Sequence, residues 1–98
     1  MSYKLEFVPS ALKEWKKLGE TVQQQLKKKL IQLLDKPDIE KNKLSGAKNL
    51  YKLKLKSSGY RLVYEVDKGR VVILVLSVGQ RNRSEVYKKA LTRLKALS

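Results

Sequence analysis

Leu50-Tyr51-Lys52-Leu53-Lys54-Leu55-Lys56 alternates apolar and basic residues without a break. Successive side chains of an extended chain point to opposite sides. Tyr51, Leu53 and Leu55 therefore share one face, and Lys52, Lys54 and Lys56 share the other. The apolar face has to pack on something. The basic face sets like charges two residues apart, and these repel unless an anion lies over them. From 41 to 64 the chain carries Lys41, Lys43, Lys48, Lys52, Lys54, Lys56 and Arg61 and neither Asp nor Glu. A phosphate backbone is the natural complement of such a surface.

Downstream of this strand, Ser57-Ser58-Gly59 is a turn. Tyr60 to Val66 is the next strand, with Tyr60, Leu62, Tyr64 and Val66 on one face and Arg61, Val63 and Glu65 on the other. Asp67-Lys68-Gly69 is a second tight turn. Val71 to Val78 is apolar on both faces, which predicts a central strand covered on both sides. Ser84 is expected to cap a last helix, Glu85 to about Leu97, with Val86, Ala90, Leu94 and Leu97 as its buried stripe. Upstream, residues 37 to 49 read as a polar loop. Before them, Thr21 and Gln24 have capping-box spacing, and Val22, Leu26, Leu30, Leu33 and Leu34 line one face of a helix that Pro37 stops. Pro9 and Ser10 open a shorter helix, Pro9 suiting its first turn and Ser10 its cap, with a stripe of Leu12, Trp15 and Leu18, ended by Gly19. Tyr3-Lys4-Leu5-Glu6-Phe7 is a short strand.

The order is β-α-α-β-β-β-α. It predicts a compact α+β domain with a small, mainly antiparallel sheet, an N-terminal helical hairpin on one face and a C-terminal helix. A chain of 98 residues is expected to form one domain, 1–98.

Lys and Arg number 23 against 9 Asp and Glu, a net charge of +14. Such a field draws polyanions. With no Cys and no His, disulfides, thiolate metal sites and the usual acid–base residue are excluded. No stretch reads as a signal peptide or is long enough to span a bilayer, so the expected compartment is the cytoplasm, with no membrane partner.

The chemistry available is cationic. Lys52, Lys54 and Lys56 are joined by Arg61 across the turn, and Arg81 and Tyr87 arrive from the end of the central strand and the start of the last helix. Without carboxylates these residues cannot hold a divalent metal, and no cofactor is expected. Metal-free RNA cleavage stays open. The ribose 2′-OH attacks the adjacent phosphorus and leaves a 2′,3′-cyclic phosphate and a 5′-OH. It needs a base, an acid for the leaving oxygen, and positive charge on the phosphorane oxygens. An Arg fork suits the last role. Crowded ammonium groups disfavour one another's charge, so a ladder lysine is a candidate base, as is Tyr87 beside its cations. Either would be weak, which predicts low activity unless another surface positions the RNA. Composition and spacing alone fit a phosphate-binding face with no chemistry more readily, because lysine ladders bind nucleic acid more often than they cut it. A DNA-associated regulatory subunit is a third, weaker reading, and no helix-turn-helix is visible.

The chain resembles the RelE toxins of bacterial type II toxin–antitoxin systems over nearly its whole length. The resemblance is carried by Ala11-Leu12-Lys13-Glu14-Trp15-Lys16-Lys17-Leu18, Gln25-Leu26-Lys27-Lys28-Lys29-Leu30, Tyr51-Lys52-Leu53-Lys54-Leu55, Ser57-Ser58-Gly59-Tyr60-Arg61-Leu62-Val63-Tyr64, Ser77-Val78-Gly79 to Arg81, and Arg83-Ser84-Glu85-Val86-Tyr87. It implies a microbial-ribonuclease-like fold and an endoribonuclease that cuts mRNA in the ribosomal A site, halting translation. It implies catalytic roles for Lys52, Lys54, Arg61, Arg81 and Tyr87: Arg61 on the transition state, Arg81 on the leaving group, Tyr87 stacking and in proton transfer. Lys43, Lys48, Lys56 and Arg83 are expected to bind mRNA or ribosomal RNA. The implied partner is a RelB antitoxin that wraps the toxin and displaces or blocks its last helix. Operator DNA would be met only through that complex. Ser45 and Gln80 depart from the family pattern, where basic residues are expected, and should weaken binding more than chemistry.

Overall fold

The computed structural model describes residues 3–37, 42–44, 48–56, 58–80 and 83–97, with the backbone alone at 83 and 84. The elements are β1 (Lys4–Phe7), α1 (Pro9–Lys16), α2 (Glu20–Leu33), β2 (Leu50–Lys54), β3 (Arg61–Asp67), β4 (Val72–Gly79) and α3 (Arg83–Leu97). The sheet order is β1-β4-β3-β2. β2, β3 and β4 form an antiparallel meander, and β1 returns parallel to β4. The expected α+β architecture is the one observed, and β4, apolar on both faces, is interior as expected.

Pairing sorts the side chains into two faces. Leu5, Phe7, Ile73, Val75, Val78, Leu62, Tyr64, Val66, Tyr51 and Leu53 share the first. They form a core with Ala11 of α1 and Leu26, Leu30 and Leu33 of α2. Phe7 meets Trp15 at 5.3 Å between ring centroids, and Tyr51 stacks on Tyr64 at 5.6 Å. The buried Tyr64 hydroxyl donates to the Pro37 carbonyl at 2.9 Å, tying β3 to the chain beyond α2. α3 lies on the second face and packs on β4 and β3, with Val86 and Ala90 buried. The fully buried Ser77 hydroxyl donates to the Val86 carbonyl at 2.8 Å.

Two irregularities in β4 matter. Val63 pairs with Ser77 but Tyr64 with Val75, so Leu76 is an extra residue, a bulge. β1 also ends early: its last pair is Phe7 with Val75, followed by a Val8 N–H bond to the Val75 carbonyl. Beyond that point the backbone groups of β4 on the β1 side need other partners. The Val78 N–H donates to Glu14 Oε1 at 3.1 Å, and Arg93 Nη1 donates to the Leu76 carbonyl at 2.8 Å.

Several local expectations are corrected. Val8, not Ser10, is the N-cap of α1, with Pro9 in its first turn. Leu12 is exposed and Ala11 takes the buried position, because the sheet meets the helix one residue earlier than the Leu12–Trp15–Leu18 stripe implies. The Thr21–Gln24 capping box does not form. α2 starts at Glu20 with Gly19 as N-cap, and Gln24 Nε2 donates to Glu20 Oε1 at 3.3 Å instead. α2 stops at Leu33, before Pro37 acts. α3 begins at Arg83, so Ser84 lies inside it, and Leu97 is exposed. The second turn runs through Val71, which takes a positive φ of 57°, and β4 starts at Val72. In the 37–49 region, Lys43 bridges Tyr51 and the Leu44 N–H donates to the Leu50 carbonyl at 2.9 Å, covering part of the free edge of β2.

β4 and α3 come close at Gly79: a Cβ there would stand 2.7 Å from Val86 Cγ2. Val86 is buried and β-branched, so it has little room to yield. Gly79→Ala is expected to destabilise the fold by about 1–3 kcal/mol, measured as a lowered denaturant midpoint at unchanged m-value. Tyr64→Phe, which leaves the Pro37 carbonyl without its donor, is expected to cost about 1 kcal/mol in the same assay.

Candidate functional site

The second face of the sheet changes character along the strands. At the hairpin end, Lys54 stands directly opposite Arg61, and Arg61 opposite Gly79. Two residues back, Lys52 stands opposite Val63, and Val63 opposite Ser77. Lys54, Arg61 and Gly79 thus form a row across three strands. α3 closes that row, because Val86 is against Gly79 and bonded to Ser77, and Tyr87 is the next residue. α3 leaves the hairpin end of β2 open on this face: Lys54 is exposed and Lys52 half-buried, while Leu50 further back is buried. Tyr87 is half-buried against the core.

Arg61 is oriented by its own turn. Gly59 has a φ of 76°, which its missing Cβ permits, and its N–H donates to the Leu55 carbonyl at 2.9 Å. The Leu55 N–H in turn donates to the Tyr60 carbonyl at 2.9 Å. Arg61 Nη1 reaches back to the Gly59 carbonyl at 3.3 Å. That contact uses one donor of a five-donor fork and leaves the rest for a phosphate. Gln80 Nε2 donates to the Ser58 carbonyl at 3.0 Å, pinning the exit of β4 to the same turn.

The structure brings together Lys52, Lys54, Arg61 and the helix that carries Tyr87. Arg81 lies outside the described residues, as does Ser45, and of Arg83 only the backbone at the start of α3 is described. Lys56 leaves the ladder: β2 ends at Lys54, and Lys56 sits exposed in the turn. It lines a groove of about 500 Å³ with Gln25, Lys28, Lys29, Gln32 and Leu55. Lys43 is exposed on the outer edge of β2, and Lys48 precedes the strand at the end away from Lys54. Neither belongs to the row.

The other end of this face is acidic. Glu6, Glu65, Asp67 and Arg70 line a groove of about 510 Å³ with Val72, Leu74, Leu94 and Leu97. Burial raises the Glu65 carboxyl above its ordinary value, and the charge of Asp67 adds to the effect. Sequence reasoning missed Glu14, Arg93, Ser77 and Gly79. Glu14 meets Val78 and Arg93 from 64 and 79 residues away, and Ser77 and Gly79 meet Val86 across the passage from β4 into α3; no local pattern announces either.

Comparison with known proteins names the family. Residues 5–85 match the model of the ParE toxin of the type II toxin–antitoxin system parDE. The chain is 58% identical over 94 residues, 96% of its length, to the mRNA interferase toxin RelE of Escherichia coli K12, of which 99% is covered. The chain belongs to the RelE/ParE superfamily of toxins. A double arginine-to-alanine mutant of E. coli RelE in the free state superposes with a TM-score of 0.89 at 57% identity, covering 95% of this chain and 98% of that one. The RelE chain of the intact E. coli RelBE toxin–antitoxin complex gives a TM-score of 0.81 at 57% identity, covering 84% and 100%. The membership expected from the basic strand, the Gly59–Tyr64 stretch and the Arg83–Tyr87 stretch is therefore correct. Among the described residues, no helix is long and apolar enough to cross a membrane.

A raised carboxyl works against the fold when ionised: the favourable contribution is present below the unfolded value and lost as pH rises through the folded one. Glu65→Gln is therefore expected to raise Tm at about pH 7. The difference from wild type should close as the pH falls below about 4, and thermal melts across that range check both signs.

Proposed function

We infer that the protein is an mRNA interferase toxin: a ribosome-dependent endoribonuclease that cuts mRNA in the ribosomal A site and halts translation. The carrying observation is the Lys54–Arg61–Gly79 row, flanked by Lys52 and closed by the helix bearing Tyr87, in a chain 58% identical to an mRNA interferase.

A scissile phosphate over the row meets cations from two strands. Arg61 is assigned to the equatorial oxygens, where charge grows as the 2′-OH attacks. Lys52, Lys54 and Tyr87 are assigned to proton removal from the 2′-OH and to holding the nucleotide, with Tyr87 able to stack on a base. Arg81 is assigned to the leaving 5′ oxygen. Lys43, Lys48, Lys56 and Arg83 are assigned to mRNA or ribosomal RNA. Lys56 does so from the α2 groove rather than from the ladder. The row has no histidine and no carboxylate, so its bases are weak, and substrate alignment has to come from the ribosome. The protein's working compartment is then the cytoplasm. Its partner is a RelB-type antitoxin, as in the RelBE complex its fold matches, and operator DNA is reached only through that complex.

Arg61→Ala is expected to lower single-turnover cleavage on programmed ribosomes by on the order of 10²–10³-fold. In wild type the cut should fall inside the A-site codon, leave a cyclic phosphate, and be absent from the same mRNA without ribosomes. Mapping both ends of the fragments checks this. Intact mRNA on ribosomes that demonstrably hold the protein would reject the enzyme and favour translation block by occupancy.

A further inference from the structure

We propose that Glu14 is a positioning residue for cleavage: through Val78 and Arg93 it holds the exit of β4 and the body of α3 in the one relation that presents Tyr87 to the row of Lys54 and Arg61. The inference rests on the role given above to Tyr87.

One carboxylate on α1 bonds both ends of the crossing from β4 to α3. Its Oε1 accepts from the Val78 N–H at 3.1 Å, one residue before Gly79. Its two oxygens accept from the Arg93 fork at 2.8 and 3.0 Å, the paired geometry in which a guanidinium binds most firmly. Arg93 also donates to the carbonyl of the bulge residue Leu76 at 2.8 Å. Lys89 adds a contact at 3.6 Å and is itself 3.5 Å from Glu85. The side chains of Glu14 and Arg93 are each only 20% exposed, so solvent screens this pair less than an ordinary surface ion pair.

The network occupies the place where β1 has run out. A longer β1 would have paired Val78 and Leu76 along the edge of β4, but would not have touched α3. The side-chain pair satisfies the same backbone groups and adds a fixed bond to the helix. Tyr87 lies between its two anchor points, Val78 and Arg93, in the chain. The Ser77–Val86 hydrogen bond holds the first turn of α3, and the bidentate Glu14–Arg93 pair adds a second fixed point two turns further along its axis, where Ala90 supplies apolar packing alone. Burial pushes the Glu14 carboxyl up. The bonds from Arg93 and Val78 and the charges of Arg93 and Lys89 more than offset this, so it stays ionised at neutral pH.

The test compares wild type, Glu14→Ala, Glu14→Gln and Arg93→Lys on programmed ribosomes at saturating protein. Ribosome affinity and amide exchange are measured in parallel. Glu14→Ala is expected to lower the single-turnover rate by about tenfold or more, with Kd for the ribosome within about twofold of wild type. Amides from Val78 to Tyr87 should exchange faster while those of Leu30 and Val66 do not. Glu14→Gln, which can still accept from Val78 and once from Arg93, should recover part of the rate. A wild-type rate in folded Glu14→Ala overturns the proposal. So does a rate loss accompanied by uniformly faster exchange, which marks a merely structural role. Should Glu14→Ala fail to fold, Arg93→Lys decides: it keeps the charge and loses the fork, and wild-type rate with unchanged local exchange overturns the proposal. Arg81→Ala and Tyr87→Phe are run alongside. If they cut at the wild-type rate, the assignment of the site fails and this proposal falls with it. If they lose activity while Glu14→Ala keeps it, only this proposal fails.

Discussion

β4 sends apolar side chains to both faces of the sheet, so neither face of that strand can be left to water. α1 and α2 cover one face with a core that runs from Ala11 to Leu33. A single helix, α3, is available for the other. One helix about 10 Å wide covers roughly two strands spaced about 4.8 Å apart. α3 takes β4 and β3, and on the same face of β2 the Lys52–Lys54 end stays open while Leu50 is buried. The exposed cationic row is a consequence of this shortage of cover, and sequence placed lysines where the cover ends.

Charge follows the same division. Cations gather on the hairpin side of the open face, and Glu6, Glu65 and Asp67 gather at its opposite end beneath the last turns of α3. The separation gives a polyanion one preferred end to approach. It also leaves the row without internal neutralisation. Lys54 opposite Arg61 is a like-charge cross-strand pair, which opposes folding when nothing anionic is bound. A phosphate over the row removes that repulsion, so the destabilised arrangement and the binding site are one feature.

The Glu14–Arg93 network connects these levels. A short β1 leaves backbone groups of β4 without a strand partner, and burial makes such groups costly unless bonded. The residues that satisfy them come from α1 and α3, so an accounting requirement at a sheet edge fixes the relation between the helices. Gly79 is needed at the same spot because Val86 leaves no room for a Cβ.

Sequence by itself determined the element order, the interior position of β4 and the core faces of α2 and β2, because each rests on a local period of apolar residues. It also determined the candidate cations Lys52, Lys54 and Arg61, since alternation assigns a strand residue its face before any fold is known. The ends of helices were less legible. Thr21 and Ser84 each satisfy a local capping rule, yet both lie inside their helices, because competing start positions differ by only fractions of a kcal/mol. Tertiary structure alone decided the register that sets Arg61 opposite Lys54, that Lys56 turns away toward α2, and that Glu14 meets Arg93. The first two depend on where β2 ends and how its hairpin pairs, and the third on a contact between residues 79 positions apart, and none leaves a periodic trace in the chain.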